Sequence, residues 1–121
     1  MAVILVVEDD TFTRDIAEMM IVDWDYETLS ASDVGEALVL LRSSRHIDAL
    51  FTDIYLKQAV LGGCDLAREA LGLRPNLRVL YTSGNLVTDE MKALFVERAH
   101  FLRKPYTPDE LQGSFEALLA A

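Results

Sequence analysis

Four short apolar runs in this chain each end in polar residues able to do chemistry. Val3-Ile4-Leu5-Val6-Val7 ends in Glu8-Asp9-Asp10, and Ala49-Leu50-Phe51-Thr52 ends in Asp53. Leu77-Arg78-Val79-Leu80-Tyr81 ends in Thr82-Ser83-Gly84, and Ala99-His100-Phe101-Leu102-Arg103 ends in Lys104-Pro105. Such runs, bounded by turn residues, read as buried strands. In an open parallel sheet the ligand site lies outside the carboxyl ends of the strands. Paired acids, a lone acid, a hydroxyl and a lysine then gather at one edge. Crowded carboxylates resist ionising together, and a divalent cation removes that conflict. The donors are all oxygens, and the only histidines are His46 and His100, so zinc is disfavoured and Mg2+ or Mn2+ fits. One carboxylate can then attack phosphorus. Lys104 can give a phosphoryl oxygen a compact positive charge, and Thr82 can donate a hydrogen bond to another.

The elements that must position these residues follow from periodicity. Phe12, Ile16, Met19 and Met20 predict an amphipathic helix over 11–23, capped by Asp10 or Thr11. Residues 26–31 read as a strand. Val34, Ala37, Leu38 and Leu41 predict a second helix, with Asp33 and Glu36 spaced as a capping box. A third helix is predicted over 65–73, and a short fourth from Thr88 through Met91, Leu94 and Phe95. Thr107-Pro108-Asp109-Glu110 starts a fifth, with Leu111, Phe115, Leu118 and Leu119 as its buried stripe. Strands alternating with helices imply an α/β domain with a parallel sheet and right-handed crossovers. The expected form is a doubly wound, five-stranded, flavodoxin-like sheet of order 2-1-3-4-5 with five helices. That order sets Glu8 and Asp9 beside Asp53. The longest irregular stretch, Tyr55 to Gly63, follows Asp53 at the same edge, where loops carry function.

The chain has 121 residues, which reads as a single domain, 1–121, large enough for a real core. A net charge of -9 disfavours direct binding to nucleic acid or to an anionic membrane. The sequence has no apolar stretch of membrane-spanning length and no signal-peptide pattern. Cys64 is the only cysteine, which fits a reducing, cytoplasmic setting.

Taken in order, Ile4-Leu5-Val6-Val7-Glu8-Asp9-Asp10, Asp53, Thr82-Ser83 and Lys104-Pro105 resemble the receiver domain of two-component response regulators, of the chemotaxis-regulator kind. The resemblance implies Asp53 as phosphoacceptor. It implies Mg2+ held by Asp9, by Glu8 (often through water), by Asp53 and by the backbone carbonyl of Tyr55. Thr82 becomes the switch hydroxyl, Lys104 the phosphate-binding lysine and Phe101 the aromatic switch, and the Lys104-Pro105 peptide is expected to be cis. A sensor histidine kinase or a histidine phosphotransfer protein would donate the phosphoryl group. A downstream protein would read the face formed by the fourth helix, fifth strand and fifth helix, a face through which many receivers also form homodimers. Both a free-standing regulator and a piece of a larger protein fit the resemblance.

Departures from the family pattern cluster after Asp53. The usual proline four residues on is Lys57, and the loop through Gly63 is slightly long. Val60 and Leu61 read as exposed there. Tyr55 is bulky, and Gly84 offers no side chain, at two positions that shape water access to the phosphoryl group. Read one by one, Asp10 suits a helix cap better than a ligand, Cys64 an inert apolar residue, His46 an exposed loop and Trp24 a helix end without chemistry. Two other functions stay open. A haloacid-dehalogenase-like phosphatase would need an acid two residues past its nucleophile, where Tyr55 stands. A binding module that is never phosphorylated would have no need of the complete Glu8, Asp9, Asp53, Thr82 and Lys104 set.

Overall fold

The computed structural model describes residues 1–57 and 59–120. Gln58, in the loop after Asp53, and Ala121, the last residue of the expected domain, lie outside the described residues. In chain order the elements are β1 (Val3–Val7), α1 (Thr11–Asp23), β2 (Glu27–Ala31), α2 (Val34–Leu41), β3 (Ala49–Asp53), α3 (Gly62–Leu73), β4 (Arg78–Ser83), α4 (Asp89–Lys92), β5 (His100–Arg103) and α5 (Pro108–Ala120). The strands pair in parallel in the order β2-β1-β3-β4-β5. This is the doubly wound order expected from the alternation of elements. Among the described residues no helix is long and apolar enough to cross a membrane.

Every residue of β1 and β3 is buried, as continuous apolar strands in a sheet covered on both faces require. Alternate residues serve opposite layers. Ile4, Val6, Ala49, Phe51 and Leu80 pack under α1 and α5, with Ala17, Ile21, Leu111 and Phe115. Leu5, Val7, Leu50, Val79 and Tyr81 face the other layer, with Ala37, Leu41, Leu66, Ala67 and Met91. Thr107 and Glu110 cap α5 reciprocally: Glu110 N–H donates to Thr107 Oγ1 at 3.1 Å and Thr107 N–H to Glu110 Oε1 at 2.9 Å. At α2, Glu36 N–H donates to Asp33 Oδ1 at 2.8 Å. The Glu36 carboxylate turns back to Ser32 rather than to Asp33, accepting its N–H at 2.6 Å.

Four expectations are corrected. α3 begins at Gly62, not at 65. Gly62 and Gly63 form its first turn, and Gly63 lies tight against the end of β3. α4 has only the four residues Asp89–Lys92. In α1 the apolar residues that predicted the helix are mostly outside: Phe12 is 73% exposed, Met19 70% and Ile16 41%. The sheet is met instead by Ala17 and Ile21, with Met20 and Trp24 partly buried beside them. In the loop after Asp53, Val60 is exposed as expected, but Leu61 is half-buried against the core.

Candidate functional site

The parallel register brings the ends of β1, β3, β4 and β5 to one edge. Asp53 is level with Thr82, and Ser83 with Arg103, one residue before Lys104. Backbone bonds hold the chain just past the strands: Ile54 N–H donates to Thr82 O at 2.9 Å, and Lys104 N–H to Ser83 O at 3.0 Å. The Lys104-Pro105 peptide is cis. Glu8, Asp53, Thr82, Lys104 and Tyr106 border one small internal cavity of about 10 Å³.

Lys104 is the hub. Its Nζ donates to Asp53 Oδ2 at 2.9 Å and reaches Glu8 Oε2 at 3.3 Å. The other Asp53 oxygen, Oδ1, accepts the Tyr55 N–H at 3.2 Å. Glu8 and Asp53 are both buried, so two acids face one ammonium. Burial, then the hydrogen bond to Asp53, pushes the Glu8 carboxyl up to about 7 against the pull of Lys104. Burial alone would lower the Lys104 ammonium, but the hydrogen bond and charge of Asp53, then those of Glu8, hold it above its usual value. Burial also raises the Tyr106 hydroxyl.

This surplus of negative charge is what a divalent cation would neutralise, and the donors are oxygens, so Glu8 and Asp53 fit a hard cation. Asp9 stands apart from them. Its Oδ2 accepts the main-chain N–H of Lys57 at 2.6 Å, and among the described residues no three acidic, histidine or cysteine side chains are placed to hold a metal ion. Asp10 is the N-cap of α1, accepting from Thr13 N–H at 2.9 Å and from the Thr13 hydroxyl.

Glu8 sets a pH dependence. Its folded-state value lies above the unfolded 4.5, so the folded protein binds this proton more tightly than the unfolded chain does. The contribution of Glu8 to stability is then full below 4.5 and is lost as pH rises through about 7. Without divalent cation, urea unfolding should show a loss of order ~2 kcal/mol between about pH 5 and pH 8 that Glu8→Gln removes. An equal pH slope in both proteins would refute this.

The switch candidates lie on the other side of Asp53. Thr82 Oγ1 donates to Leu102 O at 2.7 Å, so its hydroxyl is turned toward β5. Phe101 is half-buried and belongs to a column of three rings. Phe95 stacks on Tyr81 at 4.2 Å between centroids and on Phe101 at 6.2 Å. The Tyr81 hydroxyl oxygen accepts the N–H of Val96 at 3.2 Å, and burial pushes the hydroxyl up to about 12. The Tyr55 side chain runs away from Asp53 toward α4, its hydroxyl 3.4 Å from Met91 Sδ.

Four of these residues escape a reading by strand ends. Tyr81, Phe95 and Tyr106 look like ordinary core aromatics. Arg14 donates to the main-chain oxygen of Glu8 at 2.7 Å, and nothing in its helical spacing signals this. The position of Tyr106, two residues past Lys104, is the only hint any of them gives.

Comparison with known proteins agrees with this geometry. A Sinorhizobium medicae response regulator receiver protein of known structure is 28% identical, with a TM-score of 0.90 over 99% of this chain and 95% of that one. The transcriptional regulatory protein ZraR of Escherichia coli is 30% identical over 97% of this chain and 26% of its own length. A two-component response regulator of Oryza sativa subsp. indica is 27% identical over 96% of this chain. The chain spans only 17% of the length of that rice relative. The family model for the response regulator receiver domain matches residues 4–116, nearly the whole described fold and all the strand-end residues above. With that match, the sheet order and a lysine lodged between two buried acids, the chain belongs to the response regulator receiver domain family.

Proposed function

We propose that this chain is a phosphoacceptor domain. Asp53 takes a phosphoryl group from a phosphohistidine, and the change at Thr82 and Phe101 alters the α4–β5–α5 face that a protein partner reads. The observation that carries this reading is the Lys104 ammonium held 2.9 Å from a buried, strand-end Asp53 carboxylate. In the transfer, an Asp53 oxygen forms an O–P bond as the donor's N–P bond breaks, and the imidazole leaves with that electron pair. A Mg2+ or Mn2+ ion bound by Glu8, Asp53, a reoriented Asp9 and the Tyr55 carbonyl would neutralise charge on the phosphoryl oxygens. Lys104 exchanges its contact with the Asp53 carboxylate for one with a phosphoryl oxygen. Thr82 gives up Leu102 O for another, which vacates space beside Phe101. Both conformations preexist, and the new contacts shift the balance between them.

As a receiver domain, the chain is a signalling module rather than a conventional enzyme. Its donor would be a sensor histidine kinase or a histidine phosphotransfer protein. The exposed Phe12 and Ile16 border, with Met20, Lys104 and Pro105, an open groove of about 490 Å³, and this apolar surface suits a helical donor. A cytoplasmic setting goes with this reading, as does a homodimer through the α4–β5–α5 face.

Beryllium fluoride with Mg2+ tests the switch without a kinase. Amide resonances from Thr82 through Phe101 and along α5 should shift, and in Thr82→Ala the shifts should stay confined to the residues around Asp53. Equal propagation in both proteins would remove Thr82 from the switch. Silence in both would remove the phosphoacceptor reading.

A further inference from the structure

Where receivers usually carry a proline, four residues past the acceptor, this chain has Lys57, and its main-chain N–H is in use. It donates to Asp9 Oδ2 at 2.6 Å, a short bond to a carboxylate of the kind that is roughly twice as strong as a neutral one. A proline has no N–H to give. The bond joins the β3–α3 loop to the end of β1, while at the start of the loop Ile54 N–H bonds to Thr82 O and Tyr55 N–H to Asp53 Oδ1. Ala59 N–H donates to Leu56 O at 3.0 Å and Gly62 N–H to Ala59 O at 2.9 Å. Next to the bond lies an open cavity of about 470 Å³ bordered by Asp9, Asp33, Leu56 and Lys57, which leaves the Asp9 side chain room to move while Leu56 stays packed in the core.

We propose that the main-chain N–H of Lys57 is a positioning group that withholds Asp9 from the cation site, so that cation binding and release of the β3–α3 loop are one event. Three observations support it. Glu8 and Asp53 share Lys104, Asp9 is turned to the loop, and among the described residues no third acid stands with the pair. As placed, Asp9 completes no ligand group with Glu8 and Asp53 among the described residues, and on this proposal the shift that brings it to the cation breaks its bond to Lys57. The loop then loses its tie to β1, beside the exposed Val60. A receiver with proline at this position has no such bond to break. Lys57 thereby lowers cation affinity and makes loop mobility report on cation occupancy. The proposal rests on the cation-site reading above.

The test is a calorimetric Mg2+ titration of the wild type, Lys57→Pro and Lys57→Ala. The alanine variant is the reference for the proline variant, because both lose the ammonium and only proline loses the N–H. Lys57→Pro should bind Mg2+ about tenfold more tightly than Lys57→Ala. Equal or weaker binding overturns the proposal. Should Lys57→Pro not fold, hydrogen exchange in the wild type decides. The Lys57 amide should lose protection when Mg2+ saturates the protein, and retained protection overturns the proposal. If the wild type binds no Mg2+ at all, the cation-site reading falls with it. Mg2+ binding with equal affinities in the two variants sinks the Lys57 proposal alone.

Discussion

Gly63→Ala is expected to lower the unfolding free energy by about 3 kcal/mol or more and to disable the site with it. A Cβ on Gly63 would lie 2.1 Å from the main-chain oxygen of Asp53, and 2.9 Å from Asp53 C and Ile54 Cα. These are backbone atoms at the end of a central strand, and no rotamer change can move them aside. The Gly63 N–H also donates to Ile54 O at 3.0 Å, which pins the start of α3 to the segment that carries Asp53. Relief would require α3 to slide or the Asp53 peptide to turn, and either shifts the carboxylate away from Lys104. The helical glycines Gly72 and Gly113 are the controls, since a Cβ at either meets nothing within 4 Å. Alanine there should stabilise by about 0.5–1 kcal/mol through helix propensity. Urea midpoints for the three variants check this. A Gly63→Ala protein as stable as the other two would mean that the close approach of α3 to β3 is wrong.

Lys104→Ala is expected to make stability strongly pH-dependent. Without the ammonium, Glu8 and Asp53 face each other as buried acids lacking a counter-charge, a situation that typically costs about 3–5 kcal/mol. The cost should be near the lower end here, because the site opens partly to solvent. It should be fully present at about pH 8 and smaller at pH 5. The Glu8 carboxyl, already raised to about 7 with the lysine in place, rises further without it and keeps its proton at the lower pH. Added Mg2+ should restore part of the loss. Asp53 should still take up some phosphoryl group, since the lysine is not the nucleophile, but the α4–β5–α5 face should respond weakly. Unfolding at the two pH values, with and without Mg2+, reads the first effect. A variant with the wild-type pH profile would show that Lys104 is not the counter-charge of this pair.

The sheet was legible because its inner strands are unambiguous. Val3–Val7 and Ala49–Asp53 are wholly buried, and runs of that kind between turn residues have few other readings. The edge location of Glu8, Asp53, Thr82 and Lys104 followed from strand ends and sheet order alone. α1 defeated the same reasoning. Periodicity finds an apolar stripe but does not say what lies against it. At about 100° per residue, Phe12, Ile16 and Met19 form one stripe, and Thr13, Ala17 and Ile21 form a second on another side. The small Ala17, not the large Phe12, faces the sheet. The helical place of Gly63 is not legible because its value lies in an absent Cβ, which only the distance to Asp53 reveals. The direction of the Asp9 carboxylate was invisible for a different reason. It depends on a main-chain N–H of Lys57, and a sequence names side chains only.

The central claim is that Asp53 accepts a phosphoryl group, and intact mass tests it most directly. The wild type and Asp53→Asn are incubated with Mg2+ and a small phosphoryl donor such as acetyl phosphate, then weighed whole. The wild type should gain a single phosphoryl group, stable in acid and lost in base, and Asp53→Asn should gain none. Equal gains in both proteins would place the chemistry on another residue. No gain in either, with beryllium fluoride also without effect, would contradict the account and leave a receiver fold that works by binding alone.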